Sequence, residues 1–195
     1  MPGSTSEPDH DLVRDFVTAG HGDLPKVKTL LESHPDLLNR AYAWSPTDSE
    51  TAIQAAAQVG SRPVADYLLS KGAPLDICTA AMLGRKDDVE RFLEQESSQI
   101  GATGAHGIPL LTHASLSGDL DLTKMLWLKG ARQGASAALR NSVSRGYLEL
   151  TRWLLENASP DLREKNFQGK TTLALALQRN DVESAAILRK HGATE

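Results

Sequence analysis

Residues 107–131 read GIPLLTHASLSGDLDLTKMLWLKGA, and the spacing around their glycines decides the fold. The small pair Ala114 and Ser115 stands just before Gly118, and the apolar pair Leu126 and Trp127 follows eight and nine residues after it. Gly130 closes the stretch twelve residues past the turn. Apolar residues at helical spacing on both sides of one glycine predict two short helices joined by a tight turn. The same register recurs around Gly22, Gly60, Gly84 and Gly146, with Asn180 in the sixth turn. Glycine adopts a positive φ freely and asparagine tolerates it better than most residues, so both suit that place. The apolar pairs are Leu30-Leu31, Leu68-Leu69, Phe92-Leu93, Leu126-Trp127 and Leu154-Leu155, with Leu188-Arg189 in the last unit. Spacing inside a unit is fixed, whereas successive turn residues lie 38, 24, 34, 28 and 34 residues apart. The length changes therefore fall in the connections.

Six units in one register resemble the ankyrin repeat, whose TPLHxAAxxG…LLxxGA pattern returns about every 33 residues. The stretch TAIQAAAQVGSRPVADYLLSKGA, residues 51–73, is the nearest copy, and the whole is similar to small stand-alone bacterial ankyrin-repeat proteins. The resemblance implies an all-α solenoid of about six helix-turn-helix repeats over residues 11–195, preceded by a flexible tail over residues 1–10. Connections in such proteins form β-hairpin fingers. Those after the first, third and fifth units are long enough, residues 72–77 are too short, and the fourth-to-fifth connection is clipped. An L-shaped stack with an interrupted finger wall is expected. End repeats of a solenoid need a polar outer face, which Asp15 supplies at one end and Ser184 and Arg189 at the other. The TPLH tetrapeptide is nowhere intact. Thr51 and Thr171 keep its threonine, while Gln54, Cys78, Thr112, Arg140 and Ala174 replace its histidine.

Composition narrows the function. A net charge of −4, with no basic run, argues against general affinity for nucleic acid or an anionic membrane. Apolar stretches are too short to span a bilayer, and MPGSTSEPDH lacks the pattern of a signal peptide, so a cytoplasmic location is expected. Cys78 is the single cysteine and has no internal disulfide partner. Neither HExxH nor CxxC occurs among the histidines and the cysteine, and no metal or cofactor is expected. Gln168 to Thr172 imitates the end of a phosphate-binding loop, but Glu164 stands where its first glycine is required. His113 and Ser115 in HASLS do not form GxSxG, and both read as buried repeat residues.

As the resemblance implies, partners bind the finger tips and the inner-helix positions just before each turn. Those positions are Gly20-His21, Gln58-Val59, Met82-Leu83, Leu116-Ser117, Ser144-Arg145 and Gln178-Arg179. Val59, Met82, Leu83 and Leu116 would make an apolar patch of the kind that marks an interaction site, with Arg145 and Arg179 ready to receive a carboxylate. The alternative is that neighbouring loops fold over the patch and bury it. In the first finger, RAYAWSPTDSE, Tyr42 and Trp44 are candidate anchors or, equally, packing that orders the loop. Trp127 and Trp153 fall in the core.

The expected function is a non-catalytic module that binds a protein partner on its concave inner-helix and finger surface. A rival reading places a small-molecule or enzymatic pocket between the first finger and the groove, using Trp44, His21, Arg85 or Arg145. A monomer is expected, with self-association through the apolar patch as the alternative. His21, beside Asp23, is the candidate for a pH-sensitive contact.

Overall fold

The computed structural model describes residues 9–194, so most of the expected tail lies outside the described residues. Among the described residues twelve α-helices pair into six units: α1 (His10–Gly20) with α2 (Leu24–Ser33), α3 (Ala52–Val59) with α4 (Arg62–Ser70), and α5 (Ile77–Met82) with α6 (Lys86–Gln95). The second half continues with α7 (Leu110–Ser117) and α8 (Leu120–Lys129), α9 (Ala135–Arg145) and α10 (Leu148–Asn157), and α11 (Thr172–Gln178) and α12 (Val182–Lys190). Every turn residue of the sequence register has a positive φ, including Asn180 at 56°. Helix starts are equally local in origin. Asp23, Asp76, Asp119 and Asp181 each accept the backbone N–H three residues on, satisfying a donor the helix leaves open. Thr51 builds a reciprocal cap with Gln54, and Thr171 accepts the N–H of Ala174. The two threonines that survive from the tetrapeptide therefore act as caps.

Only the first long connection pairs as strands among the described residues. There β1 (Ala41–Ser45) and β2 (Asp48–Thr51) run antiparallel, Tyr42 opposite Glu50, with an irregularity at Trp44. The third connection instead folds into short 3-10 turns with a lone bridge between Thr103 and Pro109. The fifth makes a tight turn from Asn166 to Lys170. The finger wall is interrupted as expected, and more fully than connection length alone suggested.

The core is divided. Units one and two share one cluster, which includes Phe16, Leu37, Ile53 and Leu68, and units three to six share another, with Leu111, Leu122, Leu139, Leu154 and Leu173. Met82, Leu83 and Leu116 lie on the third and fourth units yet pack into the first cluster. They are the seat on which the first two units rest.

At the far end one expectation fails. Ser184 is buried, because its small side chain lets α12 settle against the stack while Asp181 holds its N–H. Arg189 is exposed as expected, and Asp15, also exposed, pairs with Lys26.

Candidate functional site

The inner helices α1, α3, α5, α7, α9 and α11 pack in succession along the stack, with the first finger against α1 and α3. A short second-to-third link and a six-residue α5 bring α3 against α7 as well as α5. His113 of unit four places Nδ1 3.1 Å from the carbonyl of Ala57 in unit two. Arg145 of unit five donates to the carbonyl of Val59, also in unit two, at 2.7 Å. Both contacts pass over unit three. The turn ends of the inner helices thus converge, and three of their carbonyls receive an arginine: Arg62 on Leu83, Arg145 on Val59 and Arg179 on Ser144. A cation at a helix C-terminus meets the negative end of the backbone dipole, so each contact also suits the helix it ends.

This convergence corrects the expected apolar patch. Met82 is 2% and Leu116 7% exposed, and Leu83 is buried with them. Curvature turns their register position inward, onto α3 and the first core cluster. Of the four patch residues only Val59, 39% exposed, remains on the surface. Elsewhere the register positions stay accessible in graded fashion. Gln58, Ser117 and Ser144 are half-buried, while Arg145, Gln178 and Arg179 are exposed.

The first finger is braced from both sides. Tyr42, half-buried, stacks at a tilt on His10 and edge-on to Trp44, with ring centroids 4.8 Å apart in each pair. Trp44 is 41% exposed, and its Nε1 donates to Glu50 Oε2 at 3.0 Å. Glu50 is fully buried, with Oε2 3.6 Å from His21 Nε2 and 3.5 Å from His106 Nε2; Oε1 has no partner. Two imidazoles and an indole therefore close over one carboxylate.

His106 comes from the loop after unit three, at φ 57°. Its backbone N–H donates to Asp48 Oδ1 at 3.1 Å while its ring Nδ1 lies 2.5 Å from Oδ2. The Asp48 carboxylate holds the His106 imidazole protonated to a higher pH than usual, and the same bond lowers the Asp48 carboxyl. By contrast, burial pushes His113 down: its ring is nearly inaccessible and Nε2 has no partner. His21 bonds Gln58 Oε1 at 2.8 Å, which ties the first turn to the second.

Trp44 and His21 do meet at Glu50, but Arg85 is paired with Asp88 and Arg145 is on the Val59 carbonyl, so the rival set does not assemble. Because Glu50 is sealed beneath the rings, the cluster forms a brace between finger, first turn and loop, without an open cleft. Among the described residues no three His, Cys, Asp or Glu side chains are arranged to hold a metal ion, and no helix is long and apolar enough to cross a membrane. Burial pushes the Cys78 thiol up to about 12. Trp127 and Trp153 pack edge-on, half-buried against the main core.

The sequence offered no signal for Asp48, Glu50 and His106, because the finger and the loop that carries His106 meet across some 58 residues of chain. Phe167 was passed over as well; it is 96% exposed at the turn of the fifth connection. A lone aromatic between Asn166 and Gly169 was the available signal.

Comparison with known proteins agrees with this architecture. The ankyrin-repeat family model matches residues 48–80, which span β2, the second unit and the start of α5. No curated protein matches the chain significantly. Among solved structures, a chain from the complex of a predatory endopeptidase of Bdellovibrio bacteriovorus with an immunity protein is similar at 22% identity and a TM-score of 0.50. The match covers 91% of this chain and 97% of that one, and it speaks to fold alone.

Proposed function

Taking as premise an ankyrin-repeat stack in which one repeat is matched outright, we propose that the chain is a non-catalytic module that binds a protein partner. Ankyrin repeats generally mediate protein–protein interaction, and the residues left accessible here suit that role. The binding surface in this reading runs from Tyr42 and Trp44 through Gln58 and Val59 to Ser117, Ser144, Arg145, Gln178 and Arg179. Met82, Leu83 and Leu116 support it from beneath. One observation carries the reading: Trp44 keeps 41% of its surface in water while its Nε1 and Tyr42 hold it in place. A large aromatic surface presented in fixed geometry loses little conformational entropy on binding, which is why such residues anchor interfaces.

The test is affinity capture from native cell lysate with the unaltered chain and with Trp44→Ser/Val59→Ser. Trp44 also bonds the buried Glu50, so the thermal midpoint of this variant should fall, and capture is compared at a temperature where both chains are folded by circular dichroism. A partner retained by the first and lost by the second supports the surface. Equal capture by both would remove it, and no specific capture by either would remove the binding reading.

A further inference from the structure

The fifth connection holds an aromatic ring in water by design of its backbone. Asn166 Oδ1 accepts the N–H groups of Gln168 and Lys170, each at 3.0 Å, and the N–H of Asn166 donates to the Lys170 carbonyl at 2.9 Å. Gly169 completes the turn at φ 74°. Phe167 rides on top and packs on nothing, although a phenyl ring gains by leaving water.

The charge around it is reversed relative to the acidic chain. Asp161 is paired with Arg163, and Glu164 with Arg140. Lys170 Nζ bonds the neutral Oε1 of Gln178 at 2.6 Å, and Arg179 bonds the Ser144 carbonyl. With both acids taken, Lys165 and Lys170, two and three residues from Phe167 in the chain, leave a positive surplus around the turn.

We propose that Phe167 is the anchor of a docking site for an acidic protein partner, its ring entering an apolar pocket while Lys165 and Lys170 meet carboxylates on the pocket's rim. This deepens the protein-binding reading and rests on it. A partner of that kind is favoured by charge complementarity with Lys165 and Lys170, since the nearby acids Asp161 and Glu164 are already paired. Desolvated aromatic contact supplies affinity, and the charges supply orientation and rate.

The experiment places a photo-crosslinking benzoylphenylalanine, in separate full-length chains, at Phe167, at Trp44 and at Leu128 on an outer helix, in native cells. Adducts are then sequenced. The expected result is an adduct from position 167 to a protein segment rich in Asp and Glu. That protein should bind Lys165→Glu/Lys170→Glu at least about tenfold more weakly than the unaltered chain. An adduct from 167 to a segment without acids, to nucleic acid or to a second copy overturns the proposal, as does unchanged affinity of the charge-reversed chain. Adducts from position 44 alone overturn it while leaving the concave-surface reading in place. With no adduct from either position, or from Leu128 only, both fall.

Discussion

The same register position has opposite fates in the middle of the stack and at its end. In units three and four it carries Met82, Leu83 and Leu116, all buried against the first core cluster. In unit six it carries Gln178 and Arg179, both exposed. Exposure is therefore not a property of the repeat position. It depends on whether another unit curls over it, and apolar residues there supply the free energy that makes a unit do so.

The sharpest way to break the comparison is to remove an apolar seat. Leu116→Ala should cost about 2–5 kcal/mol in chemical denaturation, as for any large-to-small change in a packed core, whereas Gln178→Ala should change stability by less than about 0.5 kcal/mol. Equal small effects would mean that Leu116 is not at a joint.

A middling effect is expected where the two halves meet through polar contacts. Arg145→Ala removes a charged donor from the Val59 carbonyl and should lower stability by about 1 kcal/mol. If amide exchange at the end of α3 is unaltered in that variant, the contact does not secure unit two.

Smaller, and informative by sign, is the pH response of two histidines that both link unit two's neighbourhood to unit four's. Facing His106 are Asp48, Glu50, Trp44 and, across Glu50, His21. Its contribution is complete below about pH 6.5, the ordinary imidazole value, and is lost as pH rises through its raised folded value. Asp48, lowered, contributes above about pH 3.9 and loses this as pH falls through its depressed value. The finger-to-loop contact is thus firmest between about pH 4 and 6.5. His113 runs the other way: burial keeps it neutral when folded, so below about pH 6.5 the unfolded chain takes up a proton that the folded one refuses. Thermal midpoints from pH 5 to 8 should show the deficit of His106→Gln shrinking as pH rises, and His113→Gln losing part of the acid-side decline. Parallel curves for all three chains would refute both assignments.

Much of the scaffold was legible because it is local. Turn residues at positive φ and the spacing of leucine pairs are set within a dozen residues, and all six units follow from them. Trp44 and Tyr42 stood out for the same reason, as aromatics in a polar loop. What could not be read was curvature. Nothing within unit three announces that α3 will touch α7, so Met82 and Leu116 looked like surface, and Asp48 gave no hint of His106. Ser184 failed similarly: a small polar side chain reads as exposed, yet it is its size that admits close packing. Phe167 was visible as a residue but not as an exposed one, since a turn that holds a ring outward is specified by the side-chain bonds of Asn166.

The divided core also has a consequence for the order in which the chain becomes whole. During synthesis the first two units emerge with their own cluster complete except for Met82, Leu83 and Leu116. Their open face waits for the third unit to supply two of the missing side chains and for the fourth to supply the last. Domains and repeats generally acquire structure from the N-terminus as they leave the ribosome, so the nascent chain passes through a stage in which half a joint is waiting for its other half. A chain truncated before residue 116 would carry that unfinished face permanently, exposed to whatever apolar surface reaches it first.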